Sequence, residues 1–337
     1  MRLLVLVPDL VRQGPIRKIT EFLGRHPTLE RVAIDRRIVI HPRLYTSVAW
    51  GGTLNNMRHA AIARSLGVDA RLVCPSGRDT YDDFNVVDLP YVRWADRRDD
   101  DVILVPDFCS ALADDVKGPT IVYLQVPIHL EANFDYKTDR VRLWTDSPYM
   151  LEKCKRVFPD KHIPIVPNIV DDKVFPFIPQ AEREPGLIFA YPRKGPDYIA
   201  KTREHYAKLG GTYWHFELID GVPLAELAKR MRRPQAFLAS ADIEGCALPP
   251  QESMACGMVV VGKSATGANF SMQHKHTAMI AETPERAAEC LVELEDQALR
   301  ESISVNAHAF ISRYFPTGEP ATFWRQTLTE LGFQLRG

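Results

Sequence analysis

The sequence predicts an α/β protein of two domains, each a parallel sheet with helices on its faces. Short apolar runs alternate with amphipathic segments along the chain, a pattern typical of repeated strand–helix units. The 337 residues are enough for two domains of ordinary size. A stretch with three prolines and several charges, 171–185, interrupts the alternation and is interpreted as the linker. We therefore expect two Rossmann-like domains that face each other across a cleft, at 1–170 and 186–313, followed by a last helical segment at 314–337.

The first half of the chain contains several short apolar runs that predict buried strands. The opening MRLLVLVPDL begins with such a run. Thr53–Leu66 predicts a helix because its apolar residues recur at helical spacing. Ser147–Val157 predicts another, with Ser147 as its cap and Pro148 at its first position. The further strands expected are Arg37–His41, Ala70–Cys74, Val102–Pro106, Thr120–Leu124, Val141–Thr145 and Ile163–Pro167.

The second half repeats the alternation of strands and helices. The predicted strands are Leu187–Tyr191, Tyr213–Ile219, Ala236–Ala239 and Ala278–Ala281. The predicted helices are Tyr198–Leu209, Leu224–Arg230, those between Pro284 and Arg313, and Thr322–Leu331.

Residues 236–262, AFLASADIEGCALPPQESMACGMVVVG, predict a strand, a loop, a helix and another strand. Pro249 and Pro250 are typical of a helix start, and Gly257 is typical of a helix end. Glu252 then falls in the first helical turn, and Glu244 falls on the loop after the strand. Ligands of open parallel sheets bind at the carboxyl ends of the strands. We therefore expect two carboxylates and several loop amides where a phosphorylated, hydroxyl-rich ligand would lie.

The bulk composition is that of a soluble globular protein, with 45% hydrophobic and 25% charged residues. A net charge of −1 gives no support for nucleic-acid binding. The six cysteines include no CxxC pair, which argues against zinc and disulfides and favours a reducing cytoplasm. Pro8 and Asp9 break the opening apolar run too early for a signal peptide or a membrane span. A basic amphipathic segment between residues 12 and 31 is either a surface helix or a patch for peripheral membrane contact.

The segment from Glu244 to Gly257 resembles family 4 of the retaining glycosyltransferases, which have the GT-B fold. It reads E-G-C-A-L-P-P-Q-E-S-M-A-C-G and keeps the spacing of the family pattern E-G-F-G-L-P-x-x-E-A-M-A-C-G, including the seven residues between its two glutamates. Cys246 and Ala247 replace the usual Phe and Gly. The resemblance implies transfer of a sugar from a nucleoside-diphosphate sugar to an acceptor hydroxyl, and a last helix that returns to the first domain. Because family members usually begin near the strand at 37–41, we interpret residues 1–35 as an added strand and helix.

The resemblance also assigns roles to individual residues of the second domain. Glu244 would contact the transferred sugar, and Glu252 would accept hydrogen bonds from the ribose. Arg193 and Lys194 resemble the cation pair that binds the donor diphosphate, with Gly195 in place of an Asn. Since such cations can neutralise the leaving diphosphate, no metal cofactor is expected. The other expected donor contacts are Gly245, Cys246, Ala247 and Leu248, and the loop residues Gly267, Ala268 and Asn269, where the family often has a Glu.

In the first domain, Gly51, Gly52 and Thr53 resemble the family's Gly-Gly loop near the diphosphate and the acceptor. Gln125 and His129 follow a predicted strand, and family members often place a His near the sugar there. The expected partners are a nucleotide sugar and a saccharide or lipid-linked acceptor, with bacterial surface polysaccharide assembly implied by the resemblance.

Two alternatives keep the fold and change the function: a nucleotide-sugar epimerase, or a degenerate paralogue that binds a sugar nucleotide and scaffolds a partner. The unusual residues Cys246, Ala247, Gly195 and Asn269 favour the degenerate paralogue, and the intact glutamates and cations favour an enzyme. No G-x-G-x-x-G follows an early strand, which argues against a dehydrogenase.

Overall fold

The structure is a computed structural model that describes residues 1–7, 51–74, 89–127, 138–222, 224–315 and 318–335. Within these ranges the chain divides into two compact units. The first contains Met1–Asp146, Leu151–Ile169 and Pro316–Gly337, and the second contains Ser147–Met150 and Val170–Phe315. The predicted strand Arg37–His41, the basic segment 12–31 and the candidate site residue His129 lie outside the described residues.

The first unit contains a parallel sheet with six described strands. They are β1 (Leu3–Leu6), β2 (Ala70–Cys74), β3 (Tyr91–Arg93), β4 (Val102–Pro106), β5 (Thr120–Leu124) and β6 (Val141–Thr145). Their order is β3-β2-β1-β4-β5-β6, which is the strand order of a Rossmann dinucleotide-binding domain. The bounds of β2, β4, β5 and β6 agree with the predicted ones.

Strand β1 lies at the centre of this sheet, where it pairs in parallel with both β2 and β4. All four of its residues are fully buried. The interpretation of the first residues as an added strand is therefore wrong for β1. Its sequence is apolar throughout because both faces of a central parallel strand are covered.

The predicted strand Ile163–Pro167 is not formed. Only Ile165 makes a bridge, to Thr145 at the end of β6. Pro164 and Pro167 have no backbone N–H to donate to a ladder, so an apolar sequence is not sufficient here.

The α-helices described before the second sheet are α1 (Gly51–Ser65) and α2 (Pro148–Val157). The hydroxyl of Ser147 accepts a hydrogen bond from the Met150 N–H at 3.1 Å, which confirms the predicted cap of α2.

The second unit contains another parallel sheet, of five described strands. They are β7 (Glu184–Ala190), β8 (His215–Leu218), β9 (Pro234–Ala239), β10 (Val259–Gly262) and β11 (Ala278–Ile280), in the order β11-β10-β9-β7-β8. This is the flavodoxin-like order of a doubly wound sheet. Its helices are α3 (Pro196–Lys208), α4 (Leu224–Arg230), α5 (Leu248–Ala255), α6 (Pro284–Glu293) and α7 (Gln297–Arg313).

The segment 171–185, which the sequence suggests as a linker, is packed into the second unit. The buried Arg183 guanidinium donates to the backbone oxygens of Met231 and Pro234 at 3.1 and 2.7 Å. Gln180 donates to the Gly257 oxygen at 2.6 Å. Polar side chains of this segment thus satisfy backbone oxygens of neighbouring parts of the second unit.

The last helix, α8 (Pro320–Glu330), packs on α1 in the first unit, which confirms the predicted return of this helix. The Trp324 indole N–H donates to His59 Nδ1 at 3.0 Å, and Trp144 packs edge-to-face on Trp324. Burial among these rings lowers the pKa of His59 to about 3.

Candidate functional site

The candidate donor residues surround the carboxyl ends of β7 and β9 in the second unit. The chain passes from β7 to β8 on one side of the sheet and then returns to β9 on the other. Such a topological switch point is where doubly wound sheets bind ligands. Lys194 follows β7 and Glu244 follows β9, so the strand order brings the two side chains to this point.

Lys194 and Glu244 form an ion pair through Nζ and Oε1. The Lys194 side chain is 49% exposed and that of Glu244 is 18% exposed. The backbone oxygen of Lys194 accepts a hydrogen bond from the Ser240 hydroxyl, which ties the loop after β7 to the end of β9. An ammonium group held in this way can exchange its carboxylate partner for a phosphate oxygen.

Gly195 connects Lys194 to the first turn of α3 and has a left-handed backbone, with φ of +83°. A Cβ atom at this position would lie well inside 3.0 Å of the Ser240 backbone oxygen. Glycine is therefore required here by both its conformation and this close approach.

Glu252 is 4% exposed and lies on α5. The helix begins at Leu248, so Glu252 falls in its second turn, and the predicted position in the first turn is wrong. Burial raises the pKa of Tyr191, the nearby Glu252 carboxylate raises it further, and Arg193 opposes the shift. Arg193 is exposed on the loop that follows β7.

The loop that leads into α5 is mostly covered. Gly245, Ala247 and Leu248 are buried, and Cys246 is half-buried. The Gln251 amide donates to Cys246 Sγ at 2.8 Å. Burial raises the pKa of Tyr314 to about 12, with a smaller contribution from Cys246.

Of the predicted donor-binding residues in the loop after β10, only some lie at the surface. Gly267 is exposed, whereas Ala268 and Asn269 are buried. Asn269 turns inward and donates to the Lys263 backbone oxygen at 3.3 Å. A three-residue 3₁₀ turn, Ala265–Gly267, lies within this loop.

Lys263 and Asp242 form a second ion pair at the same edge of the sheet. The Lys263 ammonium also lies 4.8 Å from the centre of the Tyr198 ring. The signal available in the sequence is position, since Lys263 directly follows the buried strand β10.

In the first unit, the structure brings Gly52 and Gln125 together. A Cβ atom on Gly52, at the start of α1, would meet Gln125 Oε1 at 3.0 Å. Asp107 accepts hydrogen bonds from the N–H groups of Gln125 and Val126 at 2.8 and 2.7 Å, which holds the end of β5 in place. Gly51 is exposed and Thr53 is buried in the first turn of α1.

Within the described ranges, no group of three or more His, Cys, Asp or Glu side chains is arranged to hold a metal ion. None of the helices described here has the length and apolar composition needed to cross a membrane.

No protein-family model matches the sequence, nor does any curated protein. Solved structures are similar to the chain in fold. A glycosyltransferase from Rickettsia africae has 11% identity and a TM-score of 0.64 over 98% of both chains. HepE from Anabaena, solved with UDP-glucose, has 12% identity and a TM-score of 0.61 over 98% of this chain and 100% of its own.

The pneumococcal O-GlcNAc transferase GtfA, solved with UDP and GlcNAc, has 13% identity and a TM-score of 0.57. The match covers 71% of this chain and 58% of GtfA, so the chain spans little more than half of that protein. The structural neighbours are GT-B glycosyltransferases, and the predicted fold class is confirmed: two parallel-sheet α/β domains of GT-B type.

Proposed function

We propose that the protein is a glycosyltransferase that moves a sugar from a nucleoside-diphosphate sugar to an acceptor hydroxyl with retention of configuration. The observation that carries the proposal is the pairing of Lys194 with Glu244 at the switch point of the second sheet. In a chain with the GT-B fold, this pairing supports a role for Lys194 in binding phosphate and for Glu244 in facing the sugar.

The proposed chemistry breaks the bond between the anomeric carbon and the diphosphate oxygen and forms a bond to the acceptor oxygen. Arg193 and Lys194 bind the diphosphate and stabilise the charge it gains as it leaves. Glu244 accepts hydrogen bonds from the sugar hydroxyls and stabilises positive charge on the ring, and Glu252 binds the ribose. The acceptor attacks from the face that the diphosphate leaves, and a phosphate oxygen takes its proton.

Three further features belong to this proposal. The cations and backbone N–H groups make a divalent metal unnecessary. Gly52 and Gln125 in the first unit contribute to binding of the acceptor, whose expected class is a growing polysaccharide or a glycolipid. The expected location is the cytoplasm, with at most peripheral contact to a membrane.

Thermal unfolding with added ligand tests the donor class directly. UDP is the first ligand to use, because HepE and GtfA were solved with UDP or UDP-glucose, and GDP, ADP and their sugars follow. A ligand present at a hundred times its dissociation constant stabilises the native state by about 2.7 kcal/mol, which is a measurable shift. If none of these ligands raises the unfolding temperature, the proposal is wrong.

The double variant Arg193→Ala with Lys194→Ala tests the diphosphate contacts. Loss of two charge-assisted contacts is expected to weaken diphosphate binding by about 2–4 kcal/mol. The matched control is Lys208→Ala, which removes a paired lysine at the other end of α3. Calorimetry that shows equal affinity for the double variant and the control would reject this assignment.

Two activity measurements complete the test. Transfer in the presence of a chelator is expected to equal transfer without it, and a strict need for a divalent ion would contradict the metal-free mechanism. Nucleotide-sugar binding without transfer to any acceptor would favour the non-catalytic paralogue instead.

A further inference from the structure

Lys263 is unusual among the paired lysines of the described residues because its side chain is only 15% exposed. The side chains of Lys117, Lys194, Lys208 and Lys275 are about half exposed or more in their ion pairs. Lysine is rarely buried unless it is paired. The partner here is Asp242, a loop residue whose own side chain is 71% exposed. A mostly buried cation is thus neutralised by a carboxylate that lies mostly in water.

Other contacts hold the Lys263 ammonium in place independently of Asp242. It lies 4.8 Å from the centre of the Tyr198 ring, in the first turn of α3. A cation on an aromatic face is stabilised by the ring. The Lys263 N–H donates to the Ala239 backbone oxygen at 2.9 Å, which fixes its backbone beside the end of β9. If Asp242 moved away, the cation would remain at the same edge.

The register of the sheet places Lys263 and Lys194 on opposite sides of Ser240. Gly262 of β10 pairs with Ala239 of β9, so Lys263 follows on one side of Ser240. On the other side, the Ser240 hydroxyl donates to the backbone oxygen of Lys194. Each lysine is paired with an acid from the same loop, Lys194 with Glu244 and Lys263 with Asp242. The site therefore offers two ammonium groups with replaceable partners.

The next residue shows that this loop already binds a carboxylate oxygen. Ser264 donates to Glu282 Oε1 from its hydroxyl at 2.6 Å and from its N–H at 3.1 Å. Ala265 and Thr266 then have left-handed backbones, with φ of 50° and 58°. A right-handed residue followed by a left-handed one, as at Ser264 and Ala265, directs N–H groups toward an anion.

We propose that Lys263 is a further donor-binding residue, which contacts a phosphate oxygen of the nucleoside diphosphate, and that Asp242 is the internal counter-ion that the phosphate displaces. The inference rests on the proposed function and adds a contact that the resemblance does not supply. Lys194 and Lys263, on either side of Ser240, then each contact one phosphate group of the diphosphate. Asp242 gives up its partner readily because it is already mostly hydrated.

The test measures UDP affinity by calorimetry for wild type, Lys263→Met, Lys263→Arg and Asp242→Asn, with Lys208→Met as the control. Another nucleoside diphosphate replaces UDP if it gives the larger thermal shift. Methionine keeps most of the apolar stem, so loss of the charge is the main change. We expect Lys263→Met to weaken binding about 10- to 100-fold, as for loss of one hydrogen bond to a charged group.

The other variants separate charge from packing. Lys263→Arg should retain most of the affinity, and Asp242→Asn should tighten binding by about 2- to 5-fold, the scale of an exposed ion pair. The unfolding temperature of each variant without ligand shows whether its fold is intact. If Lys263→Met does not fold, Asp242→Asn and Lys263→Arg still decide the question.

Failure of this inference is distinct from failure of the proposed function. If wild type binds no nucleoside diphosphate, the proposed function fails. If wild type binds but Lys263→Met equals Lys208→Met, or if Lys263→Arg loses as much as Lys263→Met, Lys263 is not a phosphate contact. If Asp242→Asn binds the nucleoside diphosphate no more tightly than wild type, the inference that phosphate displaces Asp242 from Lys263 is wrong.

Discussion

Replacement of Gly195 by alanine tests whether the geometry at the switch point is as tight as the structure indicates. Gly195 has φ of +83°, and a Cβ atom would overlap the Ser240 backbone oxygen. Gly210, two residues beyond α3, provides a matched control: its φ is +79°, and a Cβ atom there would meet nothing within 4 Å. Both substitutions share the cost of a left-handed alanine, about 1–2 kcal/mol.

Only Gly195→Ala adds the overlap, and overpacking of this kind costs about 1–3 kcal/mol. We therefore expect Gly195→Ala to lower the free energy of unfolding by about 1–3 kcal/mol more than Gly210→Ala. Urea denaturation followed by circular dichroism measures the difference. Gly195→Ala should also weaken UDP binding, because Ser240 and the backbone of Lys194 must move apart. Equal unfolding free energies for the two variants would refute this reasoning.

The remaining predictions concern the carboxylate at the site and the aromatic cluster of the first unit. Glu244→Gln should reduce transfer by about 10²–10³-fold while nucleotide binding persists, and full activity in an acceptor assay would remove the role of Glu244. Trp324→Phe removes the hydrogen bond to His59 and should lower the free energy of unfolding by about 1–3 kcal/mol; a loss below about 0.5 kcal/mol would show that the bond contributes little. The pKa of His59 is about 3 in the folded chain and 6.5 ordinarily, so the unfolded chain binds a proton first as the pH falls. The contribution of neutral His59 to the free energy of unfolding is then fully present above pH 6.5 and falls as the pH falls. Between pH 6.5 and 5.5, the free energy of unfolding of wild type, measured by urea denaturation, should fall by about 1 kcal/mol more than that of His59→Gln. The same pH dependence in both proteins would contradict a buried neutral His59.

Much of the fold could be predicted because apolar runs and helix starts have strong local causes. Ser147 and Pro148 predict the start of α2 correctly, because a capping hydroxyl and a proline act within one turn. Strand β3, Tyr91–Arg93, was not predicted, because three residues at the edge of a sheet carry little periodicity. The central place of β1 could not be read from its sequence, since an apolar strand does not specify its neighbours.

The sequence predicts the positions of the candidate site residues after strands better than it predicts which side chains they contact. The sequence indicates that Glu244 and Lys194 follow strands, but their contact depends on the pairing of β7 with β9 across a long separation in the chain. Asn269 was a candidate because of its place in the loop, and it turns inward because it bonds to the Lys263 backbone oxygen. Lys263 belongs to the same candidate loop, but its burial and its pairing with Asp242 are visible only in three dimensions.

The packing of α8 on α1 has a consequence for biosynthesis. A ribosome releases all of the second unit before it releases Trp324, so the ring cluster around His59 is completed only after the second unit has emerged. The part of the first unit that precedes α8 therefore lacks this packing while the second unit folds. Nascent chains stalled before residue 320 should accordingly be more sensitive to protease in the first unit than in the second.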